Sequence, residues 1–124
     1  MSSPGTVTVR KGIEEWEGIG GIIRFANKVM FFEMDLGGVR HKIVRCRRNQ
    51  VSVIRRKLVE QWSSDATLHD QYLDILDSAP PVAEQVRSDK MWFNYDKLSA
   101  DDLQCILHAA RELVQRIRAR EQLM

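Results

Sequence analysis

The most regular pattern in the chain is an alternation of apolar and polar side chains between Lys28 and Leu36. The apolar side of this segment carries Met30, Phe32, Met34 and Leu36. An alternation of period two predicts a β-strand with one buried face. Gly37 and Gly38 follow at once, and glycines supply the positive φ angles that a two-residue hairpin turn needs. The pattern therefore predicts an antiparallel hairpin whose second strand runs over residues 39–46.

A two-residue turn also determines which residues of the two strands lie opposite each other. It places Asp35 opposite Arg40 and Glu33 opposite Lys42. Cross-strand pairs of opposite charge contribute about 0.2–1 kcal/mol each, so both pairs favour this register. Continued without interruption, the register places Arg45 on the mostly apolar face of the hairpin.

The flanking segments predict further elements. Residues 6–10 are rich in β-branched side chains, which is typical of a short strand. A strand over Ile22–Ala26 is expected to pair with the hairpin and to add Ile23 and Phe25 to its apolar face. Residues 50–62 carry apolar side chains at three- and four-residue steps, which predicts an amphipathic helix; a strand over 51–54 is the alternative.

The C-terminal half is predicted to be helical. Leu68, Tyr72 and Leu76 share one helical face, and the following prolines end that helix. After an aromatic segment over 91–95, Ser99 and Asp102 have the spacing of a capping box, which predicts the start of a long final helix.

Together these elements predict a single α+β domain over residues 1–124. Its loose terminus is residues 1–4, its strand-rich part 5–46 and its helix-rich part 50–121. We expect an N-terminal antiparallel sheet of three to four strands, covered on one face by C-terminal helices that include a long final amphipathic helix.

Composition is consistent with a soluble globular chain, because hydrophobic residues are 44% and charged residues 29%. No apolar run approaches the roughly 18–20 residues of a membrane helix, and the N-terminus lacks the regions of a signal peptide. The two cysteines, Cys46 and Cys105, predict a reducing, cytoplasmic location.

The charge distribution gives the main functional hypothesis. The net charge is only +2, but no acidic residue occurs between Leu36 and Val59. With Arg40 and Lys42 assigned to the cross-strand pairs, the basic residues without a local acidic partner are Arg45, Arg47, Arg48, Arg55, Arg56 and Lys57. Such a cluster can neutralise phosphates, which predicts a nucleic-acid-binding surface. Because no signature of base-specific duplex recognition is present, RNA or a single strand is favoured. The alternatives are a solvated surface, one that pairs with the acidic residues of 60–84, or a site for an acidic protein partner.

The aromatic residues Trp92, Phe93 and Tyr95 form the second candidate site. Exposed, they could stack on unpaired bases or anchor a protein partner; buried, they would join the final helix to the sheet. The second functional hypothesis is therefore a small inhibitor, immunity or adaptor module that acts by protein contact.

A homodimer is a further option. It would form through apolar residues outside the predicted core faces, which are Phe31, Val53, Val59, Leu123 and Met124.

Catalytic and metal-binding motifs are not recognisable. The sequence has no phosphate-binding glycine loop, no nucleophile elbow and no paired-cysteine zinc motif. Cys105 and His108 have a spacing that can share a metal, but no complete ligand set accompanies them. No catalytic residue, metal or cofactor is therefore predicted, although a metal-free nuclease that uses Arg, His and Glu side chains stays open.

Overall fold

The computed structural model describes residues 4–54, 59, 67–88, 90 and 92–122. A five-stranded antiparallel sheet lies at its centre, with the strands in chain order. They are β1 (Ile22–Ala26), β2 (Val29–Leu36), β3 (Val39–Cys46), β4 (Gln50–Ser52) and β5 (Trp92–Asn94). The helices of the described residues are α1 (Pro4–Gly18), α2 (Thr67–Leu76), α3 (Pro80–Arg87), α4 (Ala100–Gln122) and a short 3-10 turn (Tyr95–Lys97). The predicted α+β fold is confirmed, with one strand more than expected.

The predicted strand over 6–10 is wrong, because these residues lie within α1. The helix is held by contacts that are distant in sequence. Trp16 is 2% exposed and its indole packs edge-on against the ring of Phe32, with centroids 5.7 Å apart. Gly12 lies against the Leu107 side chain of α4. Because Gly12 has no side chain of its own, the two helices approach closely at this point. Tertiary packing therefore overrides the local β-preference of this segment.

The hairpin of β2 and β3 is confirmed, and Gly37 and Gly38 form its turn with φ of 61° and 79°. The predicted register holds from the turn as far as Glu33 opposite Lys42. A β-bulge then leaves Ile43 without a partner, and Phe32 lies opposite Val44.

The bulge has a consequence for charge. Both Ile43 and Val44 are buried, at 3% and 0% exposure, and every later residue of β3 changes face. Arg45 therefore lies opposite Phe31 rather than on the apolar face. The extra residue spares the fold the desolvation of a guanidinium in its core.

The predicted helix over 50–62 is wrong at its start, where the alternative strand is present as β4. The chain continues into the core: Val53 and Ile54 are buried, and the backbone N–H of Ile54 donates to the Tyr72 hydroxyl of α2. Val59 is also buried. Val53 and Val59 thus belong to the core and do not contribute to an exposed apolar surface.

The long helix α4 packs against one side of the sheet. Its capping box is confirmed, because the Asp102 N–H donates to Ser99 Oγ and the Ser99 N–H donates to the Asp102 carboxylate. The helix contacts α1, α2, β2 and β3. Arg118 donates to the carbonyl of Ile19, which attaches the end of α4 to the turn after α1. None of the described helices is long and apolar enough to cross a bilayer.

Candidate functional site on the outer face of the sheet

The sheet face opposite α4 is called the outer face here. The strand register places Arg24, Phe31 and Arg45 side by side on it, across β1, β2 and β3. The cations and aromatic rings of this face are Arg24, Arg40, Lys42, Arg45, Arg47, Phe31 and Trp92. Its carboxylates within the described strands are Glu33 and Asp35.

Phe31 is at the centre of the first cluster on the outer face. The guanidinium carbon of Arg24 lies 4.7 Å from the centroid of the ring, and Lys42 Nζ lies 4.8 Å from it. A cation near an aromatic face is attracted by the electrons of the ring. The three side chains therefore form a cation–ring–cation cluster on β1, β2 and β3.

Glu33 explains why Arg24 is held in place. Its carboxylate is buried, and Arg24 Nε lies 3.1 Å from both of its oxygens. The sequence predicted a cross-strand pair between Glu33 and Lys42. The two residues do lie opposite each other, but Glu33 forms its ion pair with Arg24 instead. Lys42 is therefore not neutralised by Glu33, and its ammonium contacts a ring.

Asp35 and Arg40 form a second ion pair on the outer face, as expected from the sequence. Arg40 Nε donates to the Asp35 carboxylate at 3.0 Å, and both side chains are about half exposed. This hydrogen bond holds the pKa of the Asp35 carboxyl below its usual range. The pair is neutral as a unit at neutral pH.

Trp92 is at the centre of the second cluster. The guanidinium carbon of Arg47 lies 4.3 Å from the centroid of the Trp92 ring, so the two side chains stack. Arg47 is fixed by the turn between β3 and β4, where its N–H donates to the carbonyl of Gln50. Trp92 lies opposite Ser52, whose hydroxyl accepts a hydrogen bond from the Arg45 N–H.

These contacts leave an excess of positive charge on the outer face. Glu33 and Asp35 are already paired with Arg24 and Arg40. Among the described residues, no carboxylate lies within ion-pair distance of Lys42, Arg45 or Arg47. The face therefore combines two aromatic rings with three cations that have no carboxylate partner among the described residues.

The other described residues of the predicted site do not join the two clusters. Arg48 is exposed in the turn between β3 and β4. The predicted Arg55, Arg56 and Lys57 lie outside the described residues. Phe93 is 6% exposed and lies opposite Val51 in the core, which is the buried alternative. Tyr95 is half-buried beyond the end of β5, where it borders the same groove as Cys46.

Sequence reasoning missed Arg24, Lys42 and Phe31 as members of this site, and Lys42 was missed because it was assigned to the pair with Glu33. The alternation in β2 already placed Phe31 on the same side as Glu33, opposite the apolar row. An aromatic residue on a polar strand face was the available signal. Arg24 had no such signal, because its position depends on the pairing of β1 with β2.

Nucleophilic and metal chemistry have little support in the described residues. Burial raises the pKa of the Cys46 thiol to about 11, and burial also raises the pKa of the Cys105 thiol. Both thiols are therefore protonated at neutral pH and are weak nucleophiles. No group of three or more potential metal ligands occurs within the described part of the chain.

Comparison of the chain with models of protein families, with curated proteins and with solved structures finds no match.

Proposed function

We propose that the protein binds single-stranded nucleic acid, with RNA favoured, on the outer face of its sheet. The observation that carries this proposal is the arrangement of two cation–aromatic clusters around Phe31 and Trp92. Within the described part of the chain, Lys42, Arg45 and Arg47 have no carboxylate partner. Cations supply affinity for phosphates, and planar groups supply stacking surfaces for unpaired bases.

The geometry supports two separate contact points. Phe31 on β2 and Trp92 on β5 are three strand positions apart, which corresponds to roughly 14 Å at the usual strand spacing. Arg47 covers one face of the Trp92 ring, and a guanidinium plane is itself a surface on which a base can stack. Lys42 and Arg45 lie between the two points and would neutralise phosphates.

A single strand fits this surface better than a duplex. Bases in a duplex expose only their edges, and reading them requires an element that enters a groove. Unpaired bases expose their faces, which is what aromatic and guanidinium groups on a sheet can contact. The two free cysteines, Cys46 and Cys105, support a reducing, cytoplasmic location for such an interaction.

Fluorescence anisotropy with labelled oligomers tests the proposal. The probes are oligouridine and oligothymidine of about 15 nucleotides and a duplex of equal length. We expect single strands to bind more tightly than the duplex and to lose affinity between about 50 and 200 mM salt. Absence of binding, or affinity that is independent of salt, would refute the proposal.

A charge variant locates the binding surface. In Lys42→Gln/Arg47→Gln, two cations of the outer face are removed without touching the Arg24–Glu33 pair. We expect the slope of log affinity against log salt to become shallower by about 1.4, since each phosphate contact on a single strand contributes about 0.7. The control is Lys11→Gln, which removes an exposed cation of α1 and should leave the slope unchanged.

A further inference from the structure

An apolar groove lies at one end of the molecule, on the side of the sheet that faces α1 and α4. Its volume is about 990 Å³. Its walls come from α1, from the start of α4, and from the β1–β2 and β3–β4 turns with the adjoining strand ends. The apolar lining includes Val9, Ile13, Phe25, Met30, Leu98 and Leu103.

Phe25 is the most informative residue of this lining. It lies on the same sheet face as Phe32 and was expected to join the core, yet it is 75% exposed. Burying a large apolar side chain contributes about 1.5–3 kcal/mol, so its exposure leaves a favourable contact unused. The groove volume is at the upper end of the range of about 300–1,000 Å³ for small-molecule sites.

The rim of the groove is strongly basic. Arg10, Lys28, Arg47 and Arg48 lie on it and are all exposed, whereas Asp96 is the only acidic residue in the described lining. Within the described part of the chain, no ion pair joins any of the four cations to a carboxylate.

The start of α4 also borders the groove. Ser99 and Ala100 at the start of α4 also line the groove, but the capping box already uses the N–H groups of Ser99 and Asp102. The cationic side chains of the rim come from α1 and from the β1–β2 and β3–β4 turns.

The interior of the groove is uncharged. Cys46 and Tyr95 both lie in its wall. Burial raises the pKa of the Cys46 thiol to about 11 and raises the pKa of the Tyr95 hydroxyl, so both stay neutral at physiological pH. An apolar cavity with a cationic rim matches a ligand that has an apolar body and one negative group.

We propose that the groove binds a small anionic amphiphile as a soluble monomer: an aliphatic chain that carries one carboxylate. The chain would lie against Phe25, Met30 and Leu103, and the carboxylate would face Arg10 and Lys28. The groove rim shares Arg47 with the nucleic-acid proposal, but Arg10 and Lys28, which would face the carboxylate, do not lie on the outer face, so variants at these two residues test the groove separately.

Isothermal titration of the full-length protein with dodecanoate tests this proposal. Dodecyltrimethylammonium has the same chain length and the opposite charge, and both are used below the concentration at which micelles form. We expect dodecanoate to bind with a micromolar dissociation constant and at least about tenfold more tightly than the cationic amphiphile. Equal binding of the two amphiphiles, or no binding of dodecanoate, would overturn the proposal.

Two variants and a control place the ligand in the groove. Arg10→Glu/Lys28→Glu should weaken dodecanoate binding by about tenfold, and Phe25→Ser should weaken it by a similar factor. Lys11→Glu changes the charge of the residue next to Arg10 but lies outside the groove lining, so its affinity should stay within about twofold of the wild type. Circular dichroism confirms that each variant is folded.

A membrane surface is the competing source of the same head group. Sedimentation with vesicles of anionic phospholipid is the second arm of the experiment. Binding to these vesicles without measurable binding of monomeric dodecanoate would contradict the proposal. So would an affinity for dodecanoate that Arg10→Glu/Lys28→Glu leaves unchanged. Oligonucleotide anisotropy of the same double variant is expected to match the wild type, so the two proposals fail separately.

Discussion

Arg24 and Glu33 form a charged pair between β1 and β2 in which the carboxylate is buried and the guanidinium is only partly so. Arg24 Nε lies 3.1 Å from both carboxylate oxygens, and the side chains are 41% and 3% exposed respectively. Because Glu33 is satisfied by Arg24, its cross-strand neighbour Lys42 is free to lie over Phe31. The ion pair between Arg24 and Glu33 thus leaves Lys42 as a cation without this carboxylate on the outer face.

Removal of Arg24 is therefore expected to lower the free energy of unfolding more than removal of the Glu33 charge. Arg24→Gln leaves a buried carboxylate without a cation, and we expect a loss of about 2–3 kcal/mol of unfolding free energy, less than for a fully buried pair because water reaches the guanidinium. Glu33→Gln leaves a cation that water can solvate, and about 1 kcal/mol is expected.

Urea denaturation of both variants measures this difference. Arg40→Gln, which breaks the exposed pair with Asp35, is the matched control and should cost less than about 1 kcal/mol. If Glu33→Gln were as destabilising as Arg24→Gln, the burial of the carboxylate would not be the source of the cost.

The hairpin of β2 and β3 shows which structural features local sequence patterns can predict. Alternation in β2 and the pair Gly37–Gly38 are local features, and together they determine both strands and the register beside the turn. The bulge could not be predicted from the alternation in β2, because the inserted residue lies in β3. It only changes which face of the sheet the later residues of β3 occupy. Two consecutive apolar residues, Ile43 and Val44, interrupt the alternation of β3 in the sequence, and both are buried in the structure.

The helix α1 and the strand β4 show why the rest was not predictable. Val9 belongs to a β-branched segment, and its helical state depends on contacts such as that between Gly12 and Leu107, which are far apart in the chain. The same holds for the candidate site. Arg47 was found from charge, but its stacking on Trp92 requires β5 to pair with β4.

Gly21 is expected to be intolerant of any side chain. A Cβ at this position would lie 2.3 Å from the indole of Trp16, whose Nε1 donates to the Glu33 carbonyl. Gly21→Ala must therefore displace a buried indole or the backbone, and about 1–3 kcal/mol of stability should be lost.

Gly18→Ala is the matched control, because nothing lies within 4 Å of a Cβ built there. Thermal unfolding followed by circular dichroism should give a lower midpoint for Gly21→Ala than for the wild type, with Gly18→Ala close to the wild type. Equal midpoints for the two variants would contradict the close contact with Trp16.

Cys46 should make the stability of the fold depend on alkaline pH. Burial raises the pKa of its thiol to about 11, whereas an unfolded thiol titrates near 8.5. The folded state therefore holds its proton more strongly, so this stabilisation is complete below about pH 8.5 and is lost as the pH rises towards 11. Over that window the loss should amount to about 3 kcal/mol.

Denaturant unfolding of the wild type and of Cys46→Ala between pH 8 and pH 11 isolates this contribution, since other groups titrate in both proteins. The difference in unfolding free energy between them should decrease as the pH rises. A difference that is constant across this range would show that the thiol titrates alike in the folded and unfolded states.

Base stacking and charge are expected to make separate contributions to nucleic-acid affinity, and variants of Trp92 and Arg45 distinguish them. Trp92→Leu keeps an apolar side chain but removes the ring under the guanidinium. We expect single-stranded oligomers to bind more weakly by about 1–3 kcal/mol, the range for one stacked base, with no change in the dependence on salt. Arg45→Gln removes charge without touching either ring contact, so it should reduce the salt slope with a smaller loss of affinity at high salt. Anisotropy titrations at several salt concentrations distinguish the two variants, and a Trp92→Leu protein with wild-type affinity would show that this ring supports only the fold.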